Sequence, residues 1–328
     1  MRYDRTVLGP NDDGRRLDRV LRRLLPQVPL SRIFRALRSR EITVSGQRAR
    51  GDTRVREGDV VEISESVYGA RRRQPDDGLP SPPETAGDVS DRIVFENEHV
   101  LVVAKRLGEL THGPRSLEER IRAYLGPREG VSFRPGPAHR LDRNTTGLVV
   151  FGVSLRGAQA AAEAFRDGAI GKRYVALFEG RLAAGTWDDL LDRDRQARVT
   201  RPGAPGEHDS PARTGFARRA VTVVEPVAAS GTRTVGIIRT LTGRTHQIRA
   251  QAALHGYPLA GDRKYGSEDR GPFLLHAASL TAGPAAVGLG FAHVWADLPD
   301  VFRARVVAEF GSEVAHRITT IIGRPLDS

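Results

Sequence analysis

Residues 137–150 read Pro137-Ala138-His139-Arg140-Leu141-Asp142-Arg143-Asn144-Thr145-Thr146-Gly147-Leu148-Val149-Val150, and the apolar run at their end predicts a buried strand. Just before that run, Asp142 is flanked by Arg140 and Arg143, and His139 adds a further potential cation. Nearby positive charge favours the ionised form of an acid. An ionised aspartate at the mouth of a strand suits a nucleophile better than a proton donor, and its cationic setting suits an anionic substrate. The alternative is a turn or cap residue, a common role for aspartate in such a setting.

Around this stretch, residues 92–320 carry strand-like and helical patterns without regular alternation. Strands outnumber helices, so we expect the α+β class, with a mixed and mainly antiparallel sheet, rather than a doubly wound parallel sheet. The predicted strands are 93–95, 100–104, 148–153, 172–179, 214–224 and 234–240. The predicted helices are 117–125, 156–166 and 245–255. The acidic stretch 188–194 is expected to be a solvated loop.

Two further segments bear residues suited to a site. Tyr174 lies on a predicted strand beside basic residues, where it could stack on a nucleobase or, alternatively, belong to the core. Arg244 lies where a predicted strand gives way to a helix. It could pair bidentately with Asp142 or be a plain surface arginine.

Residues 13–65 predict a compact module of two helices followed by short strands. Leucines and valine at helical spacing mark the first helix at 17–25, and Ser31 is the predicted N-cap of the second, at 32–40. Short strands are predicted at 42–44 and 59–63. A module of this size is too small to hold much chemistry.

The outward face of this module is rich in arginine. Like charges on neighbouring helical positions repel one another, and a polyanion would relieve that repulsion. A solvated charged face is the alternative. The residues that we expect to contact RNA on this face are Arg15, Arg19, Arg32 and Arg35.

The composition points to the same kind of partner. The chain of 328 residues has a net charge of +11, which favours nucleic acid, although a genome of high G+C content also enriches arginine. Cysteine is absent, which excludes disulfides, thiolate zinc sites and cysteine nucleophiles. His246 and His255 lack the spacing of a metal-binding pair, so no metal site is expected. No apolar run of about 18 residues predicts a membrane span. The start lacks the pattern of a signal peptide, so a cytoplasmic protein is expected.

Residues 66–91 are rich in proline and glycine and are predicted to form a flexible linker. Before this linker, Gly14-Arg15-Arg16-Leu17-Asp18 and Val55-Arg56-Glu57-Gly58-Asp59 resemble the S4 RNA-binding domain. That domain implies structured RNA as a partner and no particular reaction.

Three segments after the linker resemble, in order and spacing, the RluA family of pseudouridine synthases. They are HRLDRNTTGLVVFG (139–152), GKRYVALFEG (171–180) and TGRTHQIRAQAALHGYPLAGDRKYG (242–266). The likeness is strongest to members that modify 23S ribosomal RNA. The chain departs from the family in having Lys105-Arg106 where Lys-Pro is usual, and Asn144-Thr145-Thr146 where Asp-Thr-Ser is usual.

The resemblance implies a reaction in which uridine is detached at N1, the uracil turns, and C5 rejoins the ribose, without cofactor or metal. It implies that Asp142 is the essential aspartate, acting as a nucleophile or as a base towards the sugar. Tyr174 would stack on the uracil and help to remove the C5 proton, and Arg244 would pair with the aspartate. Arg140 would fill the gap left by the flipped nucleotide, and Ile248 would form an apolar wall. A base inside a helix must in any case leave the stack before its glycosidic bond can be reached.

Three alternatives remain open at this point. A nucleosidase would need a second carboxylate, which Asp262 could supply if it approached Asp142 in space. A non-catalytic RNA-binding or ribosome assembly factor would need the basic face but not the site residues. A pseudouridine synthase acting on transfer RNA is the third. A monomer is the default expectation.

Overall fold

The computed structural model describes residues 3–68, 89–126, 133–194, 199–202 and 217–326. Most of the predicted linker, 69–88, lies outside the described residues, as do residues 214–216 of a predicted strand. Within the described part of the chain, no helix is long and apolar enough to cross a bilayer.

The first unit packs two helices on a small antiparallel sheet. Its elements are β1 (Tyr3–Val7), α1 (Leu17–Leu24), α2 (Leu30–Arg38), β2 (Ile42–Val44) and β3 (Val60–Ser64). The predicted apolar stripe of α1 is buried against Ile33 and Leu37 of α2, and the unit therefore has a core of its own.

Two features of this unit differ from the sequence prediction. The strand β1 precedes the predicted start at residue 13 and pairs with the full length of β3. Ser31 is not the N-cap of α2, because the helix begins at Leu30 and Pro29 occupies the N-cap. Proline at a helix start loses little, since the first N–H groups of a helix have no intrahelical partner anyway.

The second unit is built on one large sheet with helices on its faces. Its elements continue in chain order as β4 (Ile93–Glu96), β5 (Val100–Lys105), α3 (Leu117–Leu125), β6 (Gly136–Pro137), β7 (Thr146–Gly152), α4 (Leu155–Arg166), β8 (Ile170–Glu179), β9 (Gly185–Asp194), β10 (Val199–Pro202), β11 (Arg218–Ser230), β12 (Arg233–Thr240), α5 (Gln247–Leu254), β13 (Leu275–Ala282), β14 (His293–Trp295), α6 (Asp300–Phe310) and α7 (Ser312–Ile322).

The strand order along the sheet is β10-β9-β11-β12-β8-β13-β7-β5-β4, with β14 beside β13 and β6 beside β7. Among the described strands of this sheet, β13 and β7 pair in parallel and the other pairs are antiparallel. The predicted α+β class and mainly antiparallel sheet are confirmed.

Both faces of the central strands are covered, which explains their continuous apolar runs. Leu148 and Val150 of β7 pack towards α4, whereas Val149 and Phe151 pack towards α3 on the other face. Leu141 belongs to the α3-side cluster, so the loop before β7 approaches the sheet from that face.

The acidic stretch 188–194 is part of strand β9 and not a loop, so that prediction was wrong. Asp188 pairs with the guanidinium of Arg219 on the adjacent strand β11, at 2.6 and 2.8 Å. Cross-strand charge pairs of this kind stabilise a sheet, and they depend on a partner remote in sequence.

Candidate active site

A cavity of about 590 Å³ opens beside the centre of the large sheet. Residues from the loop before β7, the start of β8, the end of β12 and the start of α5 line this cavity. Five of the residues proposed from the sequence line this one cavity: Arg140, Asp142, Tyr174, Arg244 and Ile248.

The loop that carries Asp142 is fastened on its buried side. Leu141 packs in the core, and its N–H and C=O both bond the Thr111 hydroxyl, at 3.3 and 3.1 Å. The ammonium of Lys105 donates to the carbonyl of Arg143 at 3.0 Å. Asp142 therefore stands between two anchored neighbours and faces the cavity.

Lys105 is the most unusual of these anchors, because its side chain is fully buried at the end of β5. Its Nζ also donates to the carbonyls of Arg106 and Glu109, at 3.1 and 2.9 Å. Burial lowers the pKa of Lys105 to about 8, against the opposing effect of the negative charges of Glu109 and Asp142. A lysine that satisfies three carbonyls can hold the turn in place without an arginine-like fork.

Gly147 fixes how closely the strand after the loop approaches its parallel neighbour. It has φ of +109°, and a Cβ there would lie 2.2 Å from the carbonyl oxygen of Ala277 on β13. The positive φ disfavours any residue with a side chain, and the close contact leaves no room for a Cβ.

Asp142 pairs with Arg249 and not with Arg244. Nη1 of Arg249 donates to Oδ2 of Asp142 at 3.1 Å, and Nε2 of His246 lies 3.6 Å from the same oxygen. The Nε of Arg244 instead donates to the carbonyl of Arg219 at 3.1 Å, and its exposed side chain lies at the cavity wall. The predicted pair of Arg244 with Asp142 is therefore wrong, and Arg249 takes the place of Arg244. Helix α5 begins at Gln247, and its first turn directs Arg249 towards the cavity.

Arg249 is held by a second carboxylate and two rings. Its Nε and Nη2 donate to Asp262 at 2.8 and 2.7 Å, and its guanidinium carbon lies 4.8 Å from the ring centre of Tyr265 and 5.1 Å from that of Phe273. Burial lowers the pKa of Arg249, but the bonds to Asp262 and the charge of Asp142 outweigh it and raise the pKa. The arginine is therefore a fixed cation.

His246 joins the same cluster from the other side. It adopts a left-handed backbone with φ of 54°, which is uncommon for a residue with a side chain. Its Nδ1 lies 2.8 Å from the hydroxyl of Tyr265, and that hydroxyl accepts the N–H of Thr200 at 2.8 Å. The Tyr265 proton is then free to be donated to Nδ1. In that tautomer Nε2 carries its proton towards Asp142.

Tyr174 supplies an aromatic wall of the same cavity. Burial raises the pKa of Tyr174 to about 12, the charge of Asp142 adds to the rise, and a hydrogen bond with Thr240 opposes it. The phenol is therefore protonated at neutral pH, and its ring and that of a planar base could stack. Ile248, which is 5% exposed, gives the cavity an apolar surface.

The other basic residues of the opening motif have three different environments. Arg140 is exposed at the cavity wall, and Arg143 donates through Nε to the carbonyl of Gly108 at 3.0 Å. His139 is not a cation: burial and the nearby charge of Lys172 lower its pKa to about 3, and its Nε2 accepts the N–H of Val150 at 3.1 Å. Lys172 itself lines the cavity, and burial lowers its pKa.

The arginines of the first unit also differ in their exposure and partners. Arg19 and Arg35 are exposed, as the sequence predicts. Both Nη groups of Arg32 donate hydrogen bonds to the carboxylate of Glu41, at 3.2 and 2.5 Å, and Arg15 is half-buried. Of the four arginines that we expect to contact RNA, Arg19 and Arg35 are therefore the exposed ones.

Sequence reasoning missed three members of the site, Lys105, His246 and Arg249, and offered Asp262 only as a possible second acid. A signal was present for Arg249, which is a lone charge in the otherwise uncharged segment 245–255. No comparable signal marked Lys105 or Asp262, because each acquires its role from burial against segments far away in the chain.

The buried histidines predict an acid-sensitive fold. His276 is 2% exposed between the Thr146 hydroxyl (2.9 Å) and the carbonyl of Ala296 (3.0 Å), and burial lowers its pKa to about 4. The unfolded chain binds more protons than the native one below pH 6.5, so stability falls as the pH drops towards 4. The expected loss is about 2 kcal/mol per buried histidine between pH 6.5 and 5.

Urea unfolding at pH 7 and pH 5 measures this loss. His276→Gln should be less stable at pH 7 yet lose less on acidification than the native chain. His316→Gln, at an exposed position of α7, is the control and should follow the native chain. Equal pH dependence in all three proteins would contradict the assignment.

Within the described residues, no group of three or more His, Cys, Asp or Glu side chains is arranged to hold a metal ion.

Comparison with known families identifies this arrangement. Residues 99–254 match the RNA pseudouridylate synthase family, and residues 15–61 match the S4 domain. The chain has an S4 domain followed by a pseudouridine synthase domain. It is an isomerase that forms pseudouridine in RNA.

Among curated proteins, the chain is similar to ribosomal large subunit pseudouridine synthase C from several bacteria. The Escherichia coli K12 protein is 29% identical over 273 residues, which cover 79% of this chain and 78% of that protein. The Salmonella typhi protein is 28% identical over 277 residues and 80% of each chain.

Two solved structures share the fold. Human RNA pseudouridylate synthase domain containing 4 is 21% identical with a TM-score of 0.54, over 66% of this chain and 92% of that one. Human RNA pseudouridylate synthase domain containing 1 is also 21% identical with a TM-score of 0.54, over 72% and 96% of the two chains.

Proposed function

We propose that this enzyme isomerises specific uridines of 23S ribosomal RNA, with Asp142 as the catalytic carboxylate. The observation that carries the proposal is the position of Asp142, which faces the cavity and is paired with Arg249 at 3.1 Å. The similarity to large-subunit synthases supports the choice of RNA. We propose a cytoplasmic location from the same choice of substrate.

Each wall of the cavity has a part in the proposed reaction. Asp142 attacks C1′ of the ribose and displaces uracil N1, or takes the C2′ proton so that the same bond breaks. C5 of the turned uracil then bonds to C1′, which frees the carboxylate or returns its proton to C2′. The C5 proton leaves and N1 gains a proton. Tyr174 and Ile248 confine the uracil between an aromatic ring and an aliphatic side chain while it turns to present C5. Arg249 keeps the carboxylate oriented through the change of charge, as fixed donors do in other enzymes.

Entry to the cavity requires the target nucleotide to leave its helix. Extrusion costs a few kcal/mol in base-flipping enzymes, and contacts with the emptied stack can offset it. Arg140 is exposed at the cavity wall two residues before Asp142, so it is the side chain that we assign to the vacated space. Arg244 and Lys172 are assigned to the RNA backbone, because neither is the partner of Asp142.

The geometry disfavours a nucleosidase. Asp262 approaches the site, as that alternative requires, but both of its oxygens are occupied by Arg249 and it is 3% exposed. A carboxylate in that position cannot serve as a second catalytic acid. A pure binding factor would have no need for the buried Asp142 cluster.

The proposal is tested by incubating the purified protein separately with 23S ribosomal RNA and transfer RNA transcripts. We expect pseudouridine at defined positions of the 23S transcript, detected as carbodiimide-dependent stops of reverse transcription, and no comparable release of uracil. Modification confined to transfer RNA would favour that alternative substrate. Free uracil as the main product would favour the nucleosidase.

The basic face of the S4 domain should contribute affinity rather than chemistry. Replacing Arg19, Arg35 and Arg38 with Gln is expected to weaken binding and to lower the slope of log affinity against log salt by about 2, because each lost phosphate contact removes about 0.7–0.9. Single-turnover rates at saturating enzyme should stay unchanged. Filter binding at several salt concentrations measures the slope.

The matched control removes charge from the synthase domain, by Arg270→Gln and Arg303→Gln. Neither residue lines the cavity, and the salt slope should change little. An unchanged slope in the S4 variant would refute the role given to this face.

A further inference from the structure

We infer that Asp262 is a positioning residue for the isomerisation, which it serves by fixing the direction in which Arg249 meets Asp142. This inference rests on the proposed function, in which Asp142 is the catalytic carboxylate. The sequence offered Asp262 only as a possible second acid. The structure gives it a different place, behind the arginine.

The three charged groups form a line from the core to the cavity. The side chain of Asp262 is 2% exposed, that of Arg249 is 13% exposed and that of Asp142 is 19% exposed. Asp262 binds one edge of the guanidinium through Nε and Nη2, and Nη1 on the other edge is directed at Asp142. A planar guanidinium held along one edge keeps little freedom at the other.

The rings of Tyr265 and Phe273 complete the clamp on Arg249. They lie at 4.8 and 5.1 Å from its guanidinium carbon, distances at which a cation and an aromatic ring attract. Tyr265 also touches His246, the other neighbour of Asp142, at 2.8 Å. Among the described residues, the hydrogen bonds and ring contacts of the Arg249 guanidinium thus come from 262–273, apart from the bond with Asp142.

The backbone around Asp262 is rigid enough to act as a reference point. Its N–H donates to Leu259 at 2.9 Å, and its carbonyl accepts the N–H groups of Tyr265 and Ser267, at 2.9 and 3.2 Å. The preceding Gly261 has φ of +79°, and a Cβ there would lie 2.5 Å from the carbonyl oxygen of Pro272. The carboxylate is thus placed by the main chain and not by a mobile loop.

Asp262→Asn tests the inference through its effect on rate and binding separately. The amide keeps the shape but loses one acceptor and the charge, so Arg249 should swing away from its present direction. We expect single-turnover pseudouridine formation to fall about 100-fold, the scale of a displaced catalytic group, with RNA affinity unchanged. Asp262→Glu keeps the charge at a shifted position, and its single-turnover rate should lie between those of Asp262→Asn and the native enzyme.

The control is Glu309→Gln, another carboxylate that pairs with two arginines, Arg233 and Arg305, but on α6 and away from the cavity. It should lose stability without losing rate. If Asp262→Asn does not fold, Asp262→Glu decides the question, and a rate equal to that of the native enzyme would overturn the inference.

A double-mutant cycle with Arg249→Gln separates positioning from independent action. If Asp262 acts through Arg249, then adding Asp262→Asn to Arg249→Gln should change the residual rate little. A full further loss in the double variant would overturn the inference. Absence of pseudouridine with the native protein would instead count against the proposed function, so the two failures are distinguishable.

Discussion

Asp142→Asn is expected to reduce pseudouridine formation by at least about 10⁴-fold, the scale on which loss of a nucleophile slows other enzymes. The amide can still lie in the anchored loop, because Leu141 and the carbonyl of Arg143 supply the anchors. It cannot attack the ribose or accept a proton from it. RNA affinity should be retained, since phosphate contacts elsewhere dominate binding.

Single-turnover assays with pseudouridine mapping measure the rate, and filter binding measures the affinity. Glu309→Gln serves again as the matched carboxylate-to-amide change outside the cavity and should react normally. Normal pseudouridine formation by Asp142→Asn would remove Asp142 from the chemistry and with it the proposed mechanism.

Arg249→Gln is expected to reduce the rate of pseudouridine formation by about 10²–10³-fold. Removal of a fixed hydrogen-bond donor from other active sites has an effect of this size. The variant leaves Asp142 and the buried Asp262 without the cation between them. Arg249→Lys should also be slow, because an ammonium cannot reproduce the fork that reaches both carboxylates. The measurement is the single-turnover rate at saturating enzyme.

Arg244→Gln is the informative comparison, because Arg244 is the arginine that the sequence motif favours as partner of Asp142. Its side chain bonds the carbonyl of Arg219 instead, so we expect weaker RNA binding and a rate close to normal once RNA is saturating. The reverse ranking, with Arg244→Gln slow and Arg249→Gln active, would contradict the geometry of the site.

The two arginines also show where sequence reasoning stops. The motif places both at the start of a helix, and the choice between them depends on where that helix begins. His246 in the left-handed conformation ends the preceding turn, and α5 starts at Gln247. The side chain of His246 contacts Tyr265, 19 residues further along the chain, and no local pattern predicts that contact.

Elements with strong local signals were predicted well. The helix at 117–125 has the predicted bounds, as Leu117–Leu125, and the apolar run of β7 was recognised within two residues. The strand β9 was missed because its acids are neutralised by cross-strand partners such as Arg219. Asp262 was noticed as an acid, but its burial behind Arg249 follows only from the packing of 259–273.

The most direct test of the proposed function is a pseudouridine map of 23S ribosomal RNA from four strains of the source organism: native, deleted for this protein, deleted but carrying the native protein, and deleted but carrying Asp142→Asn. The account predicts that particular pseudouridines disappear on deletion, return with the native protein and do not return with Asp142→Asn. Identical maps in the native and deleted cells, or restoration by Asp142→Asn, would contradict it.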